Sequence, residues 1–233
     1  MLLLSVLPSI ILFYFVWKGD RYEKEPPKLL AKLFLFGALT TISAALIEVL
    51  FSDVILGFMN HQGVLFLLID NFVVVALTEE AGKYIVLKKI TWKHPAFNYT
   101  FDAIVYAVAV SLGFATLENI LYVFENGIGV AIIRALFSVP GHVIDAIYMG
   151  YYFGIAKYSE SYNDMKLKDK NLKKAFFVPV LIHGFYDFCL SADHWALILV
   201  FLVFEIIITV LTIKKFLQLS KIKATIGTDN TIS

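Results

Sequence analysis

VVVALTEEAGKYIVL, residues 73–87, sets two adjacent carboxylates, Glu79 and Glu80, and one ammonium, Lys83, into a run that is otherwise apolar. A charged side chain at mid-membrane costs about 2.5–3.5 kcal/mol on insertion scales, so a side-by-side acid pair persists there only with polar partners, water or shared protons. Two questions follow: whether this stretch lies in a membrane, and which residues partner the acids.

Composition answers the first question. Of the 233 residues 59% are hydrophobic and only 17% are charged, more apolar than a soluble domain with a polar shell allows. The chain reads as an integral membrane protein, with lipid rather than nucleic acid as its surroundings. The N-terminal MLLLSVLPSIILFYFVW has the apolar core of a signal sequence but no basic region before it and no small-residue cleavage site after it, so it reads as an uncleaved first helix. The single cysteine, Cys189, permits no internal disulfide and reads as packing.

Apolar stretches that can cross a hydrocarbon core of about 30 Å are drawn at 2–17, 29–51, 64–87, 100–125, 130–156, 176–192 and 195–213. The expected fold is an all-α, polytopic bundle of about seven transmembrane helices. Nineteen of the 20 basic residues fall in alternate connections, on one side of this seven-span scheme. The positive-inside rule then puts the N-terminus outside and the C-terminus in the cytoplasm of a plasma-membrane protein. Arg134, the remaining basic residue, is expected to snorkel or to pair with an acid such as Glu125. A single transmembrane catalytic domain is expected over 1–218, with 219–233 a disordered cytoplasmic tail. Gly150 and Gly154, in GYYFG, form a small-xxx-small pair suited to close helix packing.

Four polar groups break the apolar pattern: Glu79, Glu80 and Lys83; Glu118 and Asn119 in FATLEN; His142 and Asp145 in VPGHVID; His183 and Asp187 in HGFYD. Helical residues three or four apart share a face, which predicts that Glu79 or Glu80 meets Lys83, His142 meets Asp145, and His183 meets Asp187. This inventory suits water chemistry. A carboxylate can take a proton from water, an imidazole can stabilise an oxyanion or donate a proton, and a second carboxylate can orient the imidazole. The same residues could instead hold a divalent metal such as zinc, with His142, His183 and Glu118 as ligands and Glu79 or Glu80 deprotonating a bound water. The bland alternative is that isolated polar residues merely pair across a packed bundle; four clusters in consecutive helices favour function.

Depth sets a tension. On ideal untilted helices Glu80 and His183 lie about 10 Å from the cytoplasmic boundary and Glu118 and His142 about 21–27 Å from it. That spacing would separate the site into two layers, an arrangement that suits a proton pathway.

The ordered set EEAGK (79–83), FATLEN (114–119), RALFSVPGH (134–142), MGYYFG (149–154) and HGFYDF (183–188), with DRYEKEPP (20–27) upstream, resembles the PrsW family of intramembrane proteases. The likeness runs from Asp20 to about Asp187. That family is distantly similar to the CAAX prenyl endopeptidases, where the second motif has a histidine at the place of Glu118 and the third an asparagine at the place of Asp187. The resemblance implies that Glu79 or Glu80 activates the attacking water and that His183, oriented by Asp187, stabilises the oxyanion or helps to activate the water. It leaves Glu118 as a metal ligand or a second acid, gives His142 a place in the motif, and makes Lys83 a counter-charge to the acids, with Asn119 beside Glu118. Members are classed both as metallo- and as glutamate-type peptidases, so the resemblance implies either no cofactor or a divalent metal. The implied task is site-1 cleavage of a single-pass substrate, a membrane-anchored anti-sigma factor, in an envelope-stress response. Two rivals use the same residues differently: a proton- or cation-coupled transporter with a Glu/His relay, and a non-catalytic membrane partner.

Overall fold

The computed structural model describes residues 2–56, 58 and 63–227. The helices are α1 (Leu2–Gly19), α2 (Pro27–Leu56), α3 (Val64–Ile69), a π-helical segment (Asp70–Ala76), α4 (Leu77–Thr91), α5 (Asp102–Asn126), α6 (Ile128–Leu136), α7 (Ser138–Ser161), α8 (Met165–Ser191) and α9 (Trp195–Leu219). No strand occurs among the described residues, where Tyr99 and Thr225 form an isolated bridge. Helices form because lipid cannot hydrogen-bond the backbone, so each spanning segment must satisfy its own N–H and C=O groups.

These helices fall on the seven apolar stretches. Pro27–Ser52, Asp102–Asn126, Ile128–Ser161 and Trp195–Leu219 are long and apolar enough to cross a membrane, while Ser5–Gly19 is a shorter apolar helix. The stretches 64–87 and 176–192 are helical too but carry the charges of the site. Two irregularities were not legible in the pattern. The α3–α4 rod passes through π-helical turns immediately before the acid pair, a feature frequent at functional sites. The 128–161 rod breaks at Phe137, whose φ and ψ of −123° and −58° end α6 and start α7 one turn before His142.

α5 is the central rod, buried continuously from Phe101 to Thr116. Its neighbours approach closely because small residues face it. A Cβ on Gly113 would stand 1.9 Å from the Phe34 carbonyl oxygen, and one on Gly37 2.0 Å from that of Val110, so α2 and α5 touch backbone to backbone. On the other side a Cβ on Gly150 would stand 2.5 Å from Ile104 Cα, and one on Gly154 2.3 Å from the Thr100 oxygen. The small-xxx-small pair thus packs α7 on α5 as its spacing predicts. Polar side chains add interhelical hydrogen bonds: Ser111 Oγ donates to the His142 carbonyl (2.8 Å) and Thr41 Oγ1 to that of Phe114 (3.1 Å). Asn119 Nδ2 donates to the Ser5 carbonyl on α1 (2.8 Å).

At the end of the bundle that carries the basic connections, Glu25 is buried and accepts a hydrogen bond from the Tyr106 hydroxyl. Tyr22 donates from its hydroxyl to the Lys221 carbonyl (2.8 Å), and the Thr100 N–H donates to that of Ala224 (3.0 Å), so residues 220–226 lie against the loop before α5. The expectation of a disordered tail falls, for residues 228–233, outside the described residues, as do 57 and 59–62 of the connection after α2.

Candidate active site

The acid pair opens α4, directly after the π-helical turns, and Lys83 follows one turn on. Residues three and four apart share a helix face, and here one ammonium meets both acids: Lys83 Nζ lies 2.7 Å from Glu80 Oε1 and 3.1 Å from Glu79 Oε2. Its third donor reaches across to α7, where His142 Nδ1 lies at 3.2 Å. Three donors thus meet three acceptors, and the Phe114 ring covers the ammonium at 4.1 Å.

The partners assign the His142 tautomer. An ammonium only donates, so Nδ1 must be the accepting nitrogen and Nε2 carries the hydrogen, which it gives to Glu118 Oε2 at 2.9 Å. Glu118 is held in turn by Arg134, whose Nη2 stands 2.7 Å from the same oxygen. Arg134 Nε donates to Asn119 Oδ1 (3.1 Å). Asn119 therefore supports the site through Arg134 and does not enter the cluster, and Arg134 pairs with Glu118 rather than with Glu125.

His183, on α8, stands among four carboxylates. Nδ1 is 3.0 Å from Glu80 Oε1 and 3.9 Å from Asp145 Oδ2; Nε2 is 3.1 Å from Asp187 Oδ2 and 3.8 Å from Glu79 Oε2. The spacing rule placed Asp187 correctly. It misplaced Asp145, which turns toward His183 while His142 is taken by Lys83 and Glu118, partners from other helices that no local spacing reveals. The rings of His142 and His183 meet edge to edge-face with centroids 5.5 Å apart. The two-layer expectation gives way to one site, since polar atoms of Glu79, Glu80, His142 and His183 all lie within 4.8 Å of one another. Straight, uninterrupted rods were assumed in that count; the π-helical turns and the break at Phe137 remove the assumption for two of the helices.

A cavity of about 710 Å³ opens onto this cluster, within the range of ligand-sized clefts. Glu79, Glu118, His142, Asp145, His183 and Asp187 line it, whereas Glu80 and Lys83 are not among its lining residues. Glu79 is thus the member of the pair that faces the cavity, and Glu80 lies behind it, wholly buried. Sequence reasoning missed Glu48 on α2 and Glu205 on α9, both of which line the cavity. Each is a lone acid inside an apolar span, and the insertion cost that flagged Glu79 and Glu80 applies to them equally.

The family model described as PrsW family intramembrane metalloprotease matches residues 25–212. The chain is 37% identical over 187 residues to the protease PrsW of Oceanobacillus iheyensis, covering 80% of this chain and 81% of that one. It is 36% identical to the protease PrsW of Clostridioides difficile (91% of this chain, 88% of that one) and 34% identical to that of Bacillus subtilis (82% and 83%). No solved structure matches.

Among the described residues, those whose ligand atoms cluster closely enough to hold the metal implied by that family description are Glu79, Glu80, His142 and His183; Glu118, expected as a ligand beside the two histidines, lies outside that group. Zinc binds carboxylate oxygens and imidazole nitrogens at about 2.0–2.2 Å, but Lys83 Nζ already stands 2.7, 3.1 and 3.2 Å from three of the four. A dication there would meet an ammonium inside its own ligand shell, so the residues as arranged do not fit a metal.

Proposed function

Because the chain belongs to the PrsW family of intramembrane proteases, we propose that it hydrolyses a peptide bond in or beside the membrane segment of a single-pass protein, with Glu79 as general base. The observation that carries this reading is the asymmetry of the acid pair: only Glu79 lines the cavity, next to His183. Glu79 takes a proton from water as the oxygen attacks the scissile carbonyl carbon. His183, oriented through Nδ1 by Glu80, shares its Nε2–H between Asp187 and the oxyanion that forms. When the tetrahedral intermediate collapses, the C–N bond breaks and Glu79 returns the proton to the departing amine nitrogen. Glu118, fixed by Arg134, keeps His142 in the tautomer that accepts from Lys83.

The cavity residues come from the ends of α2, α5 and α8 that lie away from the basic connections. By the positive-inside rule that is the outer half of the membrane, with the N-terminus outside and the C-terminus in the cytoplasm. A cut there is the first one on a membrane-anchored regulator, and the substrate proposed is an anti-sigma factor cleaved under envelope stress. The relatives are proteases, and no observation favours the transporter reading.

New protein N-termini in native membranes expressing wild type or Glu79→Gln, matched in amount and exposed to envelope stress, test the reading. Termini near membrane segments of single-pass proteins, present only with wild type, are expected and would name the substrate. Identical terminus profiles would refute it.

A further inference from the structure

The metal-like cluster already contains a cation. We infer that Lys83 is the resident cation of this site, and that the chain performs its hydrolysis with an ammonium where a metallopeptidase holds a metal. The inference rests on the protease reading above and concerns its cofactor.

Geometry carries it. Lys83 is 1% exposed and lies on the same helix as Glu79 and Glu80, four and three residues after them, so the backbone itself delivers the charge. Its three N–H donors are all used, on Glu80 at 2.7 Å, Glu79 at 3.1 Å and His142 at 3.2 Å. Its remaining flank rests on the Phe114 ring at 4.1 Å, a cation–π contact that favours the charged form's position. A dication at the centre of these groups would stand beside the ammonium, which already holds one atom each of Glu79, Glu80 and His142.

The consequences are those of a positioning residue. Lys83 holds Glu80 under His183 and fixes Nδ1 of His142 as an acceptor, which leaves Nε2–H for Glu118. A metal would bond to the imidazole nitrogen directly; an ammonium orients it through a hydrogen bond and leaves Glu79 free to exchange protons with the cavity.

Detergent-purified full-length protein, dialysed against Co²⁺ or Zn²⁺ and then washed, supplies the test through metal content and Co²⁺ visible absorption. Wild type is expected to retain no stoichiometric metal, to show no ligand-field bands, and to cleave its substrate unchanged after a chelator. Lys83→Gln is expected to lose cleavage and to gain Co²⁺ binding at the vacated acceptors, and Lys83→Arg to stay folded and metal-free. One equivalent of metal in wild type, lost together with activity on chelation, would overturn the inference while leaving the protease reading intact. Folded Lys83→Gln that binds no Co²⁺ would also count against it. Absence of cleavage by wild type under all conditions would instead overturn the protease reading.

Discussion

Replacing Glu79 and Glu80 one at a time by glutamine separates catalysis from support. Lys83 stands 2.7 Å from Glu80 and 3.1 Å from Glu79, and Glu80 also takes His183 Nδ1 at 3.0 Å. Glu79→Gln removes the longer of two charge-assisted contacts and leaves an amide oxygen in its place, a loss of about 1–2 kcal/mol against the roughly 1.5–3 kcal/mol of a full charged hydrogen bond. Glu80→Gln leaves a buried ammonium and a buried imidazole short of their shared anion, which at the scale of broken buried pairs costs about 3–5 kcal/mol. At about 2–4 °C per kcal/mol for a chain of this size, the melting temperature in detergent should fall by about 2–8 °C for Glu79→Gln and by about 6–20 °C for Glu80→Gln. Catalysis should rank the other way per degree lost, because removing a general base costs about 10²–10⁴ in rate. The assay pairs thermal unfolding in detergent with the initial rate of product formation from the substrate identified by its new N-terminus. A Glu79→Gln protein cleaving within threefold of wild type would refute the assignment of the base, whatever its stability.

Three further outcomes follow from the same geometry. Asp187→Asn keeps an acceptor for His183 Nε2, now at 3.1 Å, and should lower kcat by about tenfold, whereas Asp187→Ala should lower it by about 10²-fold, the range of one charge-assisted hydrogen bond; equal rates for the two would remove orientation as the role of Asp187. Gly150→Ala would force a Cβ to within 2.5 Å of the Ile104 backbone, where neither partner is a flexible side chain, so a loss of at least about 1–3 kcal/mol should appear as a lower melting temperature; an unchanged one would contradict the backbone contact between α5 and α7. Burial pushes the Glu25 carboxyl up to about 7 from 4.5 and that of Asp20 up to about 6 from 3.8. In that window the folded state holds protons that the unfolded state has released, so stability is greatest near the unfolded values and is lost as pH rises through the folded ones. Melting temperatures should therefore fall between about pH 5 and pH 7.5, and Glu25→Gln should flatten the fall; an equal slope in the variant would contradict the burial of Glu25 as its cause.

What could be read from the chain was whatever local periodicity encodes. The seven apolar stretches, the closeness of Lys83 to the acids and of Asp187 to His183, and the packing role of Gly150 and Gly154 all depend on spacings of three or four residues, and the structure has them. His142 was assigned to Asp145 by the same rule and belongs to Lys83 and Glu118, because competition between helices decides a partner that spacing alone cannot. Asn119 looked like a neighbour of the reacting groups and is one step removed, acting on Glu118 through Arg134. Glu48 and Glu205 are isolated acids in apolar spans with no charged partner three or four residues away, and a cavity made from several helices supplies the reason for them. The depth of each residue, reckoned on straight rods, suggested two layers, and the π-helical turns and the break at Phe137 are backbone features with no clear residue signature.

On the proposed mechanism this chain needs no other protein to hydrolyse a peptide bond with Glu79 as base. The most direct test is co-reconstitution of the purified full-length protein and its single-pass substrate in proteoliposomes, with no other protein present, and measurement of the cleaved fraction with time. The account predicts cleavage at the site found in native membranes by wild type, and a rate lower by about 10²-fold or more with Glu79→Gln. Failure of wild type to cleave a substrate that is cut in native membranes, or equal cleavage by Glu79→Gln, would contradict it.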